Sequence, residues 1–336
     1  MRAWELGEQT GLASLRQVES AIPVPAEGEA LVRVRAAALN HRDLLSLEGR
    51  YGPRKAADRI ALSDGVGVVE TVNGPALAKP GQRVIAPHFV TWIDGPFDPS
   101  CFAQDLGITR DGWLAEHVVL PSAALVPVPD SLDDIAAASL SAAGATVWHG
   151  LVAFGNVKPG ELVLVLGTGG VSILGLQVAK ALGARVAITS SSEDKLARCR
   201  ELGADIAINY RTHPEWAAAL CEANGGRGAD VILDTVGTAE LGQTLAAAAP
   251  NARIALIGAL AGASSGLPDM FGMIARNLTM KGITSGSREM LAALVELVDR
   301  AGIVPLVDRT FPFEQADRAC AHLAQGGHMG KVAITF

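Results

Sequence analysis

The stretch that most constrains the fold lies in mid-chain, LVLVLGTGGVSILGLQVAKALGARVAITSSS, residues 162–192. Leu162 to Ala179 carries no charge and is long enough to be scored as a membrane span. Its middle, however, reads Gly167-Thr168-Gly169-Gly170-Val171-Ser172, which no continuous helix would choose. A strand, a tight turn and a helix explain both the apolarity and the glycines. Such a turn lets the backbone approach a pyrophosphate, and the helix behind it offers unpaired N–H groups and a positive dipole end. The third glycine of the usual spacing is replaced by Ser172, so a merely structural turn remains the alternative.

The surroundings favour the nucleotide reading. From Glu161 to about Ala261 the apolar runs LVLVLG, RVAITS, ADIAIN, ADVILDTV and ARIALIG alternate with the helix-like segments LGLQVAKAL, EDKLARCRELG, PEWAAALCEA and ELGQTLAAAA. That alternation predicts a doubly wound parallel sheet with right-handed crossovers, a Rossmann domain, over residues 129–269. Asp234-Thr235-Val236-Gly237 and Gly258-Ala259 end later strands, where ligands gather in such sheets; plain turn chemistry is the alternative. Before Pro129 the text is β-rich. ALVRVRAAAL alternates apolar and charged residues, and Gly74-Pro75 and Pro80-Gly81 separate VGVVETV from QRVIAP. Val90 to Gly112 reads as an irregular loop beside a cleft, and Asp130 or Ser131 is positioned to cap the helix that follows. The tail holds an amphipathic helix, REMLAALVELVDRAG, and a last strand, GKVAITF. Both are expected to return to the first domain, giving it residues 1–128 and 270–336. The fold class is therefore α/β, with a β-rich domain beside the Rossmann domain.

The choice of dinucleotide turns on the end of the next strand, about twenty residues past the turn, where an acidic side chain would bind the ribose of NAD. Thr189, Ser190, Ser191 and Ser192 stand there, with Lys195 one turn later. Hydroxyls and an ammonium suit a 2′-phosphate, so NADP(H) is expected. The same residues also make a good helix cap, and Glu193 reaching the ribose would reverse the preference.

Charge and cysteine usage exclude other classes. With 28 basic and 35 acidic residues, net −7, and no Lys/Arg run, a nucleic-acid partner has no electrostatic footprint. Cys101, Cys199, Cys221 and Cys320 are widely spaced, which disfavours a zinc knuckle or a disulfide framework and fits the cytoplasm. The start, MRAWELGEQTG, lacks the apolar run of an export signal. No membrane partner is expected.

Several segments together resemble one family along nearly the whole chain. Asn40-His41-Arg42-Asp43 running to Gly49-Arg50-Tyr51, Ser63-Asp64-Gly65-Val66-Gly67, Gly112-Trp113-Leu114-Ala115-Glu116-His117, Gly144-Ala145-Thr146-Val147-Trp148 and Gly330-Lys331-Val332 carry the resemblance. They are similar to the medium-chain dehydrogenase/reductases, in their zinc-independent, quinone oxidoreductase-like branch, some of whose members bear alcohol dehydrogenase names. The resemblance implies a GroES-like catalytic domain, a homodimer, and a small-molecule carbonyl or quinone substrate. It places Thr146, Gly167, Thr168, Gly169, Gly170, Val171, Ser190, Ser191, Lys195, Gly258 and, more weakly, Ser287 against the cofactor, with Tyr210 by the 2′-phosphate.

It also speaks to metal. Zinc members place a Cys at the position of Asn40, a His at Ser63 and a Cys or Asp at Ala142, and none of these ligands is present. The loop before Gly112 holds only Cys101, so the four-cysteine zinc lobe is missing as well. No metal is expected. Without a Lewis acid, polarisation by hydrogen bonds suits conjugate reduction better than alcohol oxidation. Tyr51 is the candidate to contact the developing enolate oxygen, with mere packing on the nicotinamide as its alternative, and Asn40 the candidate to hold substrate or nicotinamide. Asp43 reads as an intradomain ion pair rather than a proton carrier. His41 and His88 are the imidazoles nearest the expected cleft, though a lone histidine is more often a surface or core residue. The expected pocket lining is the Val90–Gly112 loop and the segment around Met270 and Phe271. The leading function is an NADPH-dependent reductase of quinones or α,β-unsaturated carbonyls. A zinc-lacking alcohol dehydrogenase or ketone reductase is the second reading, and a crystallin-like NADPH-binding protein with little catalysis the third.

Overall fold

A computed structural model describes residues 1–53, 55–75, 77–258 and 271–336. It divides into two compact units, Met1–Ala145 with Gly286–Phe336, and Thr146–Ser285.

The first unit opens with an antiparallel pair, β1 (Arg2–Glu5) and β2 (Arg16–Glu19). The long strand β3 (Glu29–Ala38) follows, and its alternation is physical: Arg33 and Arg35 face solvent while Val32 and Val34 are buried. Helix α1 (His41–Leu47) leads to β4 (Asp64–Asn73), β5 (Arg83–Ile85), β6 (His117–Pro121), β7 (Val126–Pro127) and α2 (Asp134–Ala138). The cap of α2 is Asp133, whose carboxylate accepts from Ala136 N at 2.7 Å, not Asp130 or Ser131. Those two precede buried Leu132, which is still inside the Pro129 turn, so the helix starts later than expected. The boundary between the units falls within α3 (Ser141–Trp148).

The second unit contains β8 (Leu162–Val165), α4 (Gly170–Ala181), β9 (Arg185–Ser190), α5 (Glu193–Glu201), β10 (Ile206–Asn209) and α6 (Trp216–Ala223). It continues with β11 (Ala229–Asp234), α7 (Leu241–Ala246), β12 (Ala248–Leu256), α8 (Phe271–Ala275) and β13 (Thr279–Gly282). The six strands form one parallel sheet in the order β10-β9-β8-β11-β12-β13. From β8 the chain builds outward first on one side and then on the other, so the switch point lies between β8 and β11.

The chain then returns to the first unit through α9 (Arg288–Ala301), β14 (Val307–Pro312), α10 (Ala316–Ala324) and β15 (Lys331–Thr335). Helix α9 buries Leu291, Leu294, Val295 and Val298, the helical spacing of its sequence, and ends at Gly302 in the left-handed conformation. Strand β15 lies between β14 and β3 in a seven-stranded sheet. Trp113, Leu39, Leu114, Leu120 and Phe313 form part of the core beneath it.

The units divide at 145/146 and 285/286, not at the expected 128/129 and 269/270. Two contacts explain the shift. Helix α2 packs on β3 and β4, and Asp64 at the start of β4 accepts from Ala142 N, which ties residues 129–145 to the first unit. Strand β13, too short and polar to stand out in the sequence, pairs with β12 and keeps the chain up to Ser285 in the second. The Val90–Gly112 loop also has a small core of its own, in which Phe89, Trp92 and Cys101 pack with Phe97. Among the described residues no helix is long and apolar enough to cross a membrane.

Candidate functional site

In the second unit the glycine turn follows β8 at the switch point of the sheet. Gly167 adopts φ +77°, a conformation that favours glycine, and nothing lies within 4 Å of where a Cβ would sit on it or on Gly169. Thr168 is buried, Gly170 and Val171 open α4, and the twelve-residue helix presents its N-terminal N–H groups beside this open backbone. Ser172 at the third-glycine position donates its hydroxyl to Leu166 O at 2.6 Å. The close helix–sheet approach belongs instead to Gly175, where a Cβ would stand 3.0 Å from Leu233 and 3.4 Å from Val165.

The end of β9 is bonded to this turn, because Gly167 N donates to Thr189 Oγ1 at 3.2 Å. Buried Ser190 accepts from Ser192 N at 3.3 Å, Ser191 is half-buried, and Ser192 caps α5 through Lys195 N at 3.4 Å. Capping therefore occupies part of the hydroxyl run. The Lys195 side chain is half-buried, Tyr210 is 42% exposed, and Tyr210 N donates to Ser190 O. Glu193 accepts from Asn209 Nδ2 at 2.7 Å and is committed to the end of β10. Asp234 is saturated by Val236 N, Gly237 N and Thr244 Oγ1, so turn chemistry accounts for it. Gly258 closes on Thr235, whose carbonyl a Cβ would meet at 2.3 Å, and Thr146 is buried at the head of this unit. Ala259 and Met270 lie outside the described residues, and Phe271 is 72% exposed. Ser287 groups with the first unit, fully buried, its hydroxyl capping α9 through Met290 N. The turn, the β9 end and the α4 N-terminus thus offer a dinucleotide open backbone, helix N–H groups and hydroxyls.

The first unit holds a chain of buried polar groups at the start of α1. Lys331 Nζ donates to Asn40 Oδ1 at 2.6 Å and to Asp64 Oδ2 at 3.2 Å. An ammonium only donates, so the Asn40 oxygen must face it and Nδ2 must face the other way. There Nδ2 donates to Ser63 Oγ at 3.3 Å, and Ser63 Oγ donates to Asp43 Oδ1 at 3.1 Å. Asp43 Oδ2 accepts from Asn40 N at 2.7 Å, closing the helix start. Asp43 is 3% exposed, and burial, reinforced by Asp64, pushes its carboxyl up to about 6 against the pull of Arg42, Asn40 N and Lys331. Asp43 is therefore a hydrogen-bonded cap rather than the expected ion pair. That pair belongs to its neighbour.

Arg42 forms a short ion pair with Asp105, which is fully buried and also bonded to His88 Nδ1 at 2.8 Å. Burial disfavours the Arg42 charge, yet Asp105, Tyr51 and Asp43 raise its pKa above the ordinary value. Burial also pushes Asp105 up, but Arg42 and His88 outweigh it and hold the carboxyl low. His88 is held below the ordinary histidine value by burial and by Arg42, against Asp105. The guanidinium carbon of Arg42 lies 5.0 Å from the centre of the Tyr51 ring. The Tyr51 carbonyl accepts from Lys55 Nζ, while its hydroxyl takes no hydrogen bond among the described residues. His41 is exposed.

The structure places Asn40 among Lys331, Ser63 and Asp43, and Tyr51 against Arg42; sequence reasoning did not single out Arg42, Asp105 or Lys331 as candidates and left His88 as a lone imidazole. Lys331 had a signal, a lysine within an otherwise apolar strand. Asp105, in irregular text, had none. Positions 40, 63 and 142 do not fit a zinc ion. They offer a carboxamide bonded to a hydroxyl, and a methyl side chain on a residue whose backbone N–H donates to Asp64, with an ammonium already on the carboxamide oxygen. Among the described residues no three His, Cys, Asp or Glu side chains are grouped to hold a metal.

Comparison with known proteins agrees with this architecture. Residues 26–130 match the family model described as alcohol dehydrogenase GroES-like domain, and residues 170–300 the one described as zinc-binding dehydrogenase. A zinc-type alcohol dehydrogenase-like protein of Schizosaccharomyces pombe is 38% identical over 97% of this chain and 96% of its own length. An acryloyl-coenzyme A reductase of Metallosphaera sedula is 31% identical over 96% of each. Among solved structures, an NAD-dependent alcohol dehydrogenase is 34% identical with a TM-score of 0.91, covering 100% of both chains. A mycobacterial protein complexed with NADPH is 28% identical with a TM-score of 0.84, also covering 100% of both.

Proposed function

Because the chain belongs to the medium-chain dehydrogenase/reductase family, we propose that it is a metal-free oxidoreductase that reduces an α,β-unsaturated carbonyl or a quinone with NADPH. The observation that carries the reading is the set at positions 40, 63 and 142, where an amide, a hydroxyl and a methyl stand in place of zinc ligands and the Lys331 ammonium lies on the amide oxygen. Hydrogen bonds spread over such groups stabilise a delocalised enolate better than a localised alkoxide, which favours conjugate reduction over alcohol oxidation. The acryloyl-coenzyme A reductase relative acts on an unsaturated thioester and supports the same direction.

The dinucleotide would lie along Gly167–Val171 with its pyrophosphate at the α4 N-terminus, and would supply hydride. Ser190, Ser191, Lys195 and Tyr210 would surround a 2′-phosphate, while Glu193, engaged by Asn209, leaves a ribose 2′-hydroxyl without its usual acidic partner. The NADPH-bound neighbour supports that choice, and the NAD-dependent one marks the alternative. In the first unit, Lys331 fixes the Asn40 amide so that its N–H groups face away from the ammonium and toward Ser63. One of those N–H groups is left over to hold a carbonyl oxygen. Tyr51, whose ring lies under the Arg42 guanidinium, would offer a second donor from a hydroxyl that takes no hydrogen bond among the described residues.

Steady-state oxidation of NADPH and NADH with an enone, a quinone, an unsaturated thioester and a simple ketone tests the reading, in chelator-treated protein. Turnover of the enone, thioester or quinone, undiminished by the chelator, is expected. Turnover of the ketone alone, or activity restored only by zinc, would refute it.

A further inference from the structure

Of the polar groups in the first unit, the His88–Asp105–Arg42 cluster is the least explained by folding. Asp105 is fully buried and His88 is 2% exposed, so two ionisable groups and a guanidinium occupy space that apolar side chains could fill at lower cost. The cluster is also incompletely satisfied. Arg42 Nε and Nη1 are buried with no hydrogen-bond partner among the described residues. His88 gives Nδ1 to Asp105 at 2.8 Å, while Nε2 takes no hydrogen bond among the described residues. A carboxylate behind one nitrogen fixes the tautomer and leaves the other nitrogen able to take up and give a proton.

We propose that His88, oriented by Asp105, is the acid–base group that exchanges the proton with the substrate oxygen, and that Arg42, paired with Asp105, is the positioning residue that holds that carboxylate against the ring. The assignment rests on the reductase reading and deepens it. The other candidates fail on geometry. Both oxygens of Asp43 already accept hydrogen bonds; Lys331 is committed to Asn40 and Asp64; among the described residues neither the Tyr51 hydroxyl nor His41 has a carboxylate bonded to it.

The step balances. The nicotinamide, whose dinucleotide Gly167–Val171 would hold, would supply hydride to the β-carbon, so that the C=C electron pair would move toward the carbonyl and leave an enolate oxygen. Imidazolium Nε2–H gives its proton to that oxygen, leaving neutral imidazole, which takes a proton from water while the enol becomes the saturated carbonyl. Asp105 facing Nδ1 stabilises the imidazolium, Arg42 opposes it, and Asp64 adds a weaker favourable charge. Reduction needs the protonated ring, so its rate should fall as pH rises through a value below that of an ordinary histidine. The reverse oxidation should rise over the same range.

The test uses the full chain with His88→Gln and His88→Phe, the second keeping a ring stacked as His88 stacks on Phe89. Melting temperature and NADPH affinity, by cofactor fluorescence, report folding and cofactor binding. The expected result is a loss of kcat/KM of about 10²- to 10⁴-fold in both variants, with the wild-type pH dependence of reduction abolished and NADPH affinity within about twofold. A folded variant keeping kcat/KM within about threefold, or keeping the wild-type pH profile, overturns the proposal. If neither variant folds, the wild-type profile still decides. Reduction that is flat or rises with pH excludes His88, and opposed limbs for reduction and oxidation support it. Failure of the two ideas is distinguishable: wild-type protein inactive on every electrophile defeats the reductase reading, whereas active wild type matched by its His88 variants defeats only this assignment.

Discussion

Replacing Asp43 by Asn should make the protein gain stability relative to wild type as pH rises. The carboxyl moves from 3.8 when unfolded to about 6 in the fold, chiefly because burial disfavours its charge. A group whose pKa is raised by folding adds stability below its unfolded value and loses that contribution as pH climbs through the folded one. About two units correspond to about 3 kcal/mol, and with Asp43 only 3% exposed little of this is lost to solvent screening. Asparagine does not titrate. Its oxygen can still accept from Asn40 N, and its amide can donate to Ser63 Oγ, while the weaker bond from Ser63 N is lost. That loss is a constant offset of about 1 kcal/mol at any pH. Urea unfolding of both proteins from about pH 4 to pH 8, followed by tryptophan fluorescence, should therefore show the variant gaining 2 to 3 kcal/mol on wild type, by rough conversion of the shift, mostly between about pH 4 and 7. A difference that stays flat, or shrinks as pH rises, would mean that Asp43 is not held protonated-prone by burial, and the argument would fail.

Lys195→Ala should weaken NADPH by about 10- to 100-fold, the value of a charge-assisted hydrogen bond, and leave NADH within about twofold; equal losses in a binding titration would remove the 2′-phosphate argument. Gly175→Leu should cost about 1 to 3 kcal/mol in unfolding free energy, since even the first added carbon meets Leu233 at 3.0 Å; a melting temperature at or above wild type would show that α4 is not closely seated on its sheet. Lys331→Met should cost about 3 to 5 kcal/mol by stranding buried Asp64, and adding Asp64→Asn should recover much of it. If the double variant is no better than the single one, the pair is not coupled.

What the sequence disclosed follows from where the physics is local. The β-α alternation, the glycine turn and the amphipathic α9 were all readable because strand and helix periods and a tight turn write themselves into neighbouring residues. The expected departures at Asn40, Ser63 and Ala142 were readable too, since a ligand's chemistry is visible in its residue type. The domain boundaries were not. They depend on β13, whose TMKG has no alternation, and on Asp64 reaching Ala142, a contact between residues far apart in the chain. Asp43 was misread because a helix-capping carboxylate and an ion-paired one look alike until the position of Arg42 is known. The pairing of His88 with Asp105 was invisible for the same reason, since the irregular loop between them gives no period from which a contact could be predicted.

The two buried cations of the first unit differ in what they leave to a substrate, and that difference bears on the reaction. Lys331 directs its ammonium into Asn40 and Asp64, so its charge is largely met by the protein. Arg42 meets Asp105 through one nitrogen, while its Nε and Nη1 are buried with no partner among the described residues. A guanidinium spreads its charge over a plane, which matches an anion delocalised over carbon and oxygen better than the point charge of an alkoxide. On the proposed reading the unit therefore contains a positioning guanidinium, Arg42, beside a proton carrier, His88, bridged by the carboxylate that holds both. An enzyme polarising a simple ketone would need a strong point charge at the oxygen. An enolate forming by conjugate addition needs a broad, weaker field and a proton, and these are the groups that the start of α1 and the residues around His88 and Asp105 bring together.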